Sequence, residues 1–157
     1  MYKNRFRGFT LIELLVVIAI IGVLSAVVLA SLNTARNKGN DAAIQSDMAT
    51  IQTQAEIYYG GAGVNTYGNQ GWVSGAATAC NAVAPNMFLD STIVKALAGA
   101  DAVNGAGNVA CFANLTGYFV AAALTSGTSY WCVDHTGTGK MVNAALPTAI
   151  PAGNVCP

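Results

Sequence analysis

The sequence predicts an α+β fold: one long N-terminal α-helix packed against an antiparallel β-sheet, with a disulfide-bonded C-terminal loop. Three observations predict it. A run that is apolar or Gly from Leu14 to Ala30, broken only by Ser25, passes into helical periodicity that lasts to Tyr58. Three strand-like segments separated by turn residues follow, 118–124, 129–134 and 140–143. All four cysteines lie beyond the helical part.

Composition narrows the function. The chain has 157 residues, 54% hydrophobic and 9% charged, with seven Lys/Arg against seven Asp/Glu. Low charge with high hydrophobicity excludes a disordered chain. Seven cations do not cover a broad basic surface, so direct binding of nucleic acid is not expected.

The first element is the apolar helix. From Phe9 to Leu32 only Thr10, Glu13, Ser25 and Ser31 are polar, and as a helix this stretch spans about 36 Å, enough to cross a bilayer. Lys3, Arg5 and Arg7 precede it with no acid among them. The positive-inside rule keeps that end in the cytoplasm and sends the remainder out. An ordinary secretory signal would have a shorter apolar core and a small-residue cleavage site. Glu13 does not fit a plain anchor, because a carboxylate within an apolar run needs a partner. A cut after Gly8 would supply one, the new amine of Phe9, about 6 Å along the axis from Glu13. On a neighbouring helix shifted by that amount, amine and carboxylate would pair directly. Gly22, Ala26 and Ala30 form a small-residue stripe that suits close helix packing, though Gly and Ala are also simply common in membrane helices.

Arg7-Gly8-Phe9-Thr10-Leu11-Ile12-Glu13, followed by Leu14-Leu15-Val16-Val17-Ile18-Ala19-Ile20-Ile21-Gly22, resembles the N-terminal signature of type IV pilins and type II secretion pseudopilins. The resemblance covers about the first 35 residues and implies a pilin-like fold. It implies that a prepilin peptidase cuts between Gly8 and Phe9 and N-methylates Phe9. It further implies that Glu13 pairs with the Phe9 amine of an adjacent subunit. The chain would then comprise a cleaved leader (1–8), a transmembrane and filament-core segment (9–32), an amphipathic second half of the helix (33–59) and a globular region (60–157). The implied partners are identical subunits in a helical homopolymer, an inner-membrane assembly platform with motor ATPases, and the membrane itself before assembly. The product would be an extracellular pilus serving adhesion, motility or DNA uptake. A type II secretion pseudopilin is the alternative within the family; a single-pass anchored binding domain is the alternative outside it. Many family members carry Pro where Ala30 stands, and Ala favours helix over Pro by about 3 kcal/mol.

Beyond the anchor, Ile44, Met48, Ile51, Ala55 and Tyr58 are spaced as one helix face. Gly60-Gly61 is the expected stop, and Gly39 a possible bend. A helix is therefore expected from Phe9 to Tyr59. Residues 60–90 read as a Gly-punctuated connection, with Tyr67 and Trp72 as local anchors. Asp90 or Ser91 N-caps a short helix through Ile93, Val94 and Leu97 to Gly99. A loop from Asn104 to Asn108 leads to the three strands, whose short spacings favour a meander.

Cys80, Cys111, Cys132 and Cys156 lack the spacing of a zinc site and read as two disulfides in an exported domain. Three connectivities are open. Cys80–Cys111 with Cys132–Cys156 is the choice in which each bridge staples one loop-rich segment, and the second also resembles the C-terminal disulfide of the family. No metal, cofactor or catalytic constellation is expected. His135 reads as an exposed turn residue. Gly137-Thr138-Gly139-Lys140 lacks the first Gly and the final Ser/Thr of a phosphate loop. Asn114-Leu115-Thr116 is a formal glycosylation sequon. Asp134 is the only acid after Asp101, too few for a calcium cage.

Overall fold

A computed structural model describes residues 8–81, 84–103 and 105–157. The leader cations Lys3, Arg5 and Arg7 lie outside the described residues. The chain divides into two units between Arg36 and Asn37. Helix α1, Leu11–Gly60, is continuous in secondary structure through Gly39, so no break follows from that glycine. Helical propensity and side-chain packing on the outer part outweigh the cost of about 1 kcal/mol for a mid-helix Gly.

The first unit is the apolar part of α1. Its large side chains are exposed along their whole length, from Leu11 at 76% to Leu32 at 59%. Among the described residues α1 is the one helix long and apolar enough to cross a membrane.

The second unit holds the rest of α1, a second helix α2 (Ser91–Val103) and a five-stranded antiparallel sheet. The strands are β1 (Gln70–Gly75), β2 (Val109–Ala113), β3 (Tyr118–Ala123), β4 (Tyr130–Asp134) and β5 (Gly139–Val142), in that spatial order. The last three occupy the segments read as strands. β1 lies within the connection expected over 60–90, and β2 lies in residues to which the sequence assigns no element. In β1 the register slips between Gln70 and Val73, so Gly71 and Trp72 both face Phe112 and regular alternation is lost. In β2 the short run Val-Ala-Cys-Phe-Ala holds no polar residue, so no apolar–polar alternation marks it; Cys111 pairs opposite Val73 and Val120.

The core forms where the α1 stripe meets one face of this sheet. Ile44, Met48, Ile51 and Ala55 are fully buried against Val109, Tyr118, Val120 and Val133, with Ile93, Leu97 and Ala100 of α2 closing one side. Burial of each large aliphatic side chain is worth about 2 kcal/mol. The opposite sheet face is covered by the C-terminal segment, with Phe119, Ala121, Tyr130 and Cys132 packed under Leu146 and Cys156. Both faces of β3 are thus buried, which gives a nearly continuous apolar strand without polar alternation.

Asp90 is the cap of α2: its Oδ1 accepts from the N–H groups of Thr92 (2.9 Å) and Ile93 (3.3 Å). The helix continues past Gly99 to Val103, because Gly99 is a packing residue, not a stop. A Cβ there would stand 2.5 Å from the Asp47 carboxylate of α1. The disulfides are Cys80–Cys111 and Cys132–Cys156, closing 31 and 24 residues of sequence. In the chain-entropy account each is worth about 3.5 kcal/mol.

Candidate assembly site

The site at the start of α1 is built by its N-terminus. Thr10 precedes the first helical residue, and Glu13 is the only acid of the first turn. Glu13 Oε2 accepts from the Thr10 N–H (2.8 Å) and the Thr10 hydroxyl (2.7 Å), while the Glu13 N–H donates to Thr10 Oγ1 (3.3 Å). This is a capping box, in which residue and N-cap satisfy each other's open donors. It gives Glu13 a local role within the single chain that the sequence reading did not assign. Its signature, Thr-x-x-Glu before an apolar run, was present in the sequence.

Phe9, Ile12, Glu13, Val16 and Val17 line a shallow apolar groove, with the carboxylate as its one charged group. Phe9 is 86% exposed, so its backbone amine position is open to the surroundings. Gly8 is exposed as well, and a Cβ added to it would meet nothing within 4 Å. Gly22 likewise faces open space within the chain. Among the described residues, Gly8, Phe9 and Gly22 are thus exposed, with open space beside both glycines. The Thr10→Ala variant is expected to fray the first turn by about 1 kcal/mol. Circular dichroism in detergent reads it as a small loss of helicity, with Glu13 still free to take another cation.

Elsewhere in the second unit, the residues with chemical potential are structural. Asp134, fully buried, accepts at Oδ1 from the Thr136 N–H (2.8 Å), the Thr136 hydroxyl (2.6 Å) and the Thr138 N–H (3.4 Å), and at Oδ2 from the Cys156 N–H (2.7 Å). Burial alone would raise its carboxyl, but these hydrogen bonds outweigh that and hold it below the ordinary carboxylate range. The β4–β5 turn that loosely resembles a phosphate loop thus aims its amides at the chain's own carboxylate. Asp101 plays the same part at the end of α2, accepting from the N–H groups of Ala77, Gly107 and Asn108 (2.9 Å each). Asp41 Oδ1 accepts from the Thr125 N–H and hydroxyl (2.8 Å each), fixing the β3–β4 turn to α1.

His135 is half-buried rather than exposed: its ring lies over Gly117, where a Cβ would approach Nδ1 to 2.9 Å. The reading as a free turn residue is corrected, since glycine opposite it leaves room for the ring to lie down. Asn114 forms the β2–β3 turn, its Oδ1 accepting from the N–H groups of Thr116 (3.0 Å) and Gly117 (2.8 Å).

Comparison with known proteins agrees with this architecture. Residues 3–29 match the prokaryotic N-terminal methylation motif. The chain is 38% identical over 56 residues to the type II secretion system core protein G of Dickeya chrysanthemi, which covers 36% of this chain and 37% of that protein. It is 44% identical over 52 residues to the type IV wide pilus major component PilA4 of Thermus thermophilus, covering 33% of this chain and 40% of that protein. The chain thus matches well under half the length of either relative. The N-terminal methylation motif, the long apolar-to-amphipathic helix, the antiparallel sheet and the Cys132–Cys156 bridge together make a pilin-like α+β architecture. In its N-terminal motif and in the stretches that match these two proteins, the chain is similar to type IV pilins and type II secretion pseudopilins.

Proposed function

We propose that this protein is the structural subunit of a type IV pilus and performs no catalysis. It is held in the inner membrane as a precursor, cut between Gly8 and Phe9 by a prepilin peptidase and N-methylated on Phe9. It is then assembled into an extracellular homopolymer by a membrane platform and motor ATPases. The observation that carries this reading is the apolar part of α1, whose large hydrophobic side chains from Phe9 to Leu32 stand exposed among the described residues. Water is a poor neighbour for that surface, at roughly 25 cal/mol per Å² of apolar area. Lipid and then other copies of the same helix are the environments that suit it. Glu13 restricts which copy binds: it pairs with the Phe9 amine of an adjacent subunit, and Gly22 lets helices approach closely. The family resemblance to a pilus component and two disulfides in the exported body favour a filament exposed outside the cell. The similarity to a type II secretion core protein supports the second reading, a periplasmic pseudopilus.

Electron microscopy of material sheared from cells decides between them. Surface filaments containing this chain support the pilus; their absence alongside cell-retained polymers favours the pseudopilus. The Gly8→Leu variant is expected to block processing at least tenfold, because the peptidase must reach an unshielded backbone. Mass spectrometry of the purified chain reads the outcome directly. A mature N-terminus at Phe9 from that variant would contradict the assigned cleavage site.

A further inference from the structure

The carboxylates of the second unit are almost all occupied. Asp41, Asp90, Asp101 and Asp134 accept N–H groups from turns and helix starts, and Glu56 accepts the Tyr67 hydroxyl at 2.9 Å. Asp47 differs: no donor reaches it among the described residues, although it is half-buried beside Gly99. Desolvation raises its carboxyl above the ordinary range. Lys38, on the same stretch of α1, is exposed and has no acceptor among the described residues.

The spacing of these two charges has a consequence for assembly. They are nine residues apart, which on an α-helix is about 13.5 Å along the axis and about half a turn around it. They therefore lie on opposite flanks of α1 and cannot meet within one chain. Between the flanks runs the outer face of α1, with Ser46, Ala49, Thr50 and Thr53 exposed and uncharged. The Thr50 and Thr53 hydroxyls donate back to the carbonyls of Ser46 and Ala49, both at 3.0 Å, so these two donors stay satisfied when the face is covered. Opposite charges on opposite flanks make a head-to-tail surface, the kind that builds open filaments and not closed dimers.

We propose that Lys38 of one copy pairs with Asp47 of the next, with the uncharged outer face of α1 between them, setting neighbouring parallel helices about 13.5 Å apart along their axes. The occupant of this face is a second copy of this chain, and the inference rests on the polymerising reading above. The Glu13–Phe9 pairing calls for a shift of about 6 Å, so the copy met at Lys38 and Asp47 is a different neighbour from the one met at Glu13.

Zero-length carbodiimide coupling of sheared wild-type filaments tests it, with tryptic mapping of the cross-link. The expected product is an amide between Lys38 and Asp47, necessarily between chains because of their separation within one. The single reversals Lys38→Glu and Asp47→Lys each lower filament yield roughly tenfold, and the double reversal restores it. The wild-type cross-link needs no variant to fold, and Lys38→Glu alters an exposed position. Filaments that form normally in both single variants and give no 38–47 cross-link would overturn the register while leaving polymerisation intact. A wild-type chain that forms no polymer of any kind would overturn both.

Discussion

On the proposed function, the Glu13→Ala variant is expected to insert into the membrane, be cut after Gly8, and yield roughly a hundredfold fewer filaments than the wild type. Insertion survives because the apolar run from Leu14 onward is untouched. Assembly fails because the Phe9 amine of each incoming copy enters an apolar bundle without a counter-charge, and an uncompensated charge there is heavily penalised. The capping box complicates the comparison, since the same substitution also removes an acceptor from Thr10. Thr10→Ala separates the two effects: it loses the cap but keeps the carboxylate, and retains most assembly. Immunoblots of sheared and membrane fractions read both variants. Equal filament loss in the two would assign Glu13 to helix capping; normal filaments from Glu13→Ala would end the charge-pairing account.

The second large effect is at Asp134. Asp134→Ala removes the acceptor for three backbone N–H groups and one hydroxyl in a buried site, and is expected to destabilise the body by about 3 kcal/mol. Asp134→Asn is more selective: an amide oxygen at the Oδ1 position keeps the turn contacts, while the amide nitrogen confronts the Cys156 N–H with a second donor. The C-terminal segment then loosens while β4 and β5 stay paired. Acid should act on the same group. Its folded carboxyl lies below its unfolded value, so its stabilisation is complete above about pH 4 and is lost as pH falls through the folded value. Thermal melts between pH 7 and pH 2 should show a decline at the acid end that is weaker in Asp134→Asn. An identical acid profile in both proteins would remove Asp134 from the account.

What the sequence revealed depended on the range of the interactions. The stripe from Ile44 to Ala55 was legible because four buried positions repeat at helical spacing within one element. Strands β3 to β5 were legible from β-branched and aromatic residues between turns. Strands β1 and β2 were not: Gly71 and the register slip break the pattern in β1, β2 is short and without polar alternation, and their pairing depends on partners far along the chain. The structural role of Asp134 was not legible, because its decisive partner, the Cys156 N–H, is 22 residues away. The role of Gly99 was hidden for the same reason, since Asp47 approaches it from another helix. At the N-terminus the Gly8, Phe9 and Glu13 pattern was plain, yet the capping box was overlooked beside it.

The way the body uses its acids has a consequence for ionic strength. Asp41, Asp90, Asp101 and Asp134 hold turns and helix starts through short contacts to N–H groups, and no Lys or Arg takes part in those contacts. Mobile ions screen pairs of separated charges over about 10 Å at 0.1 M salt but have little effect on a buried carboxylate already in contact with its dipoles. The melting temperature of the folded body should therefore stay nearly constant between dilute buffer and about half-molar salt. On the proposed function, the folded body would then keep its shape across that range, leaving the contacts between copies as the part that responds to salt.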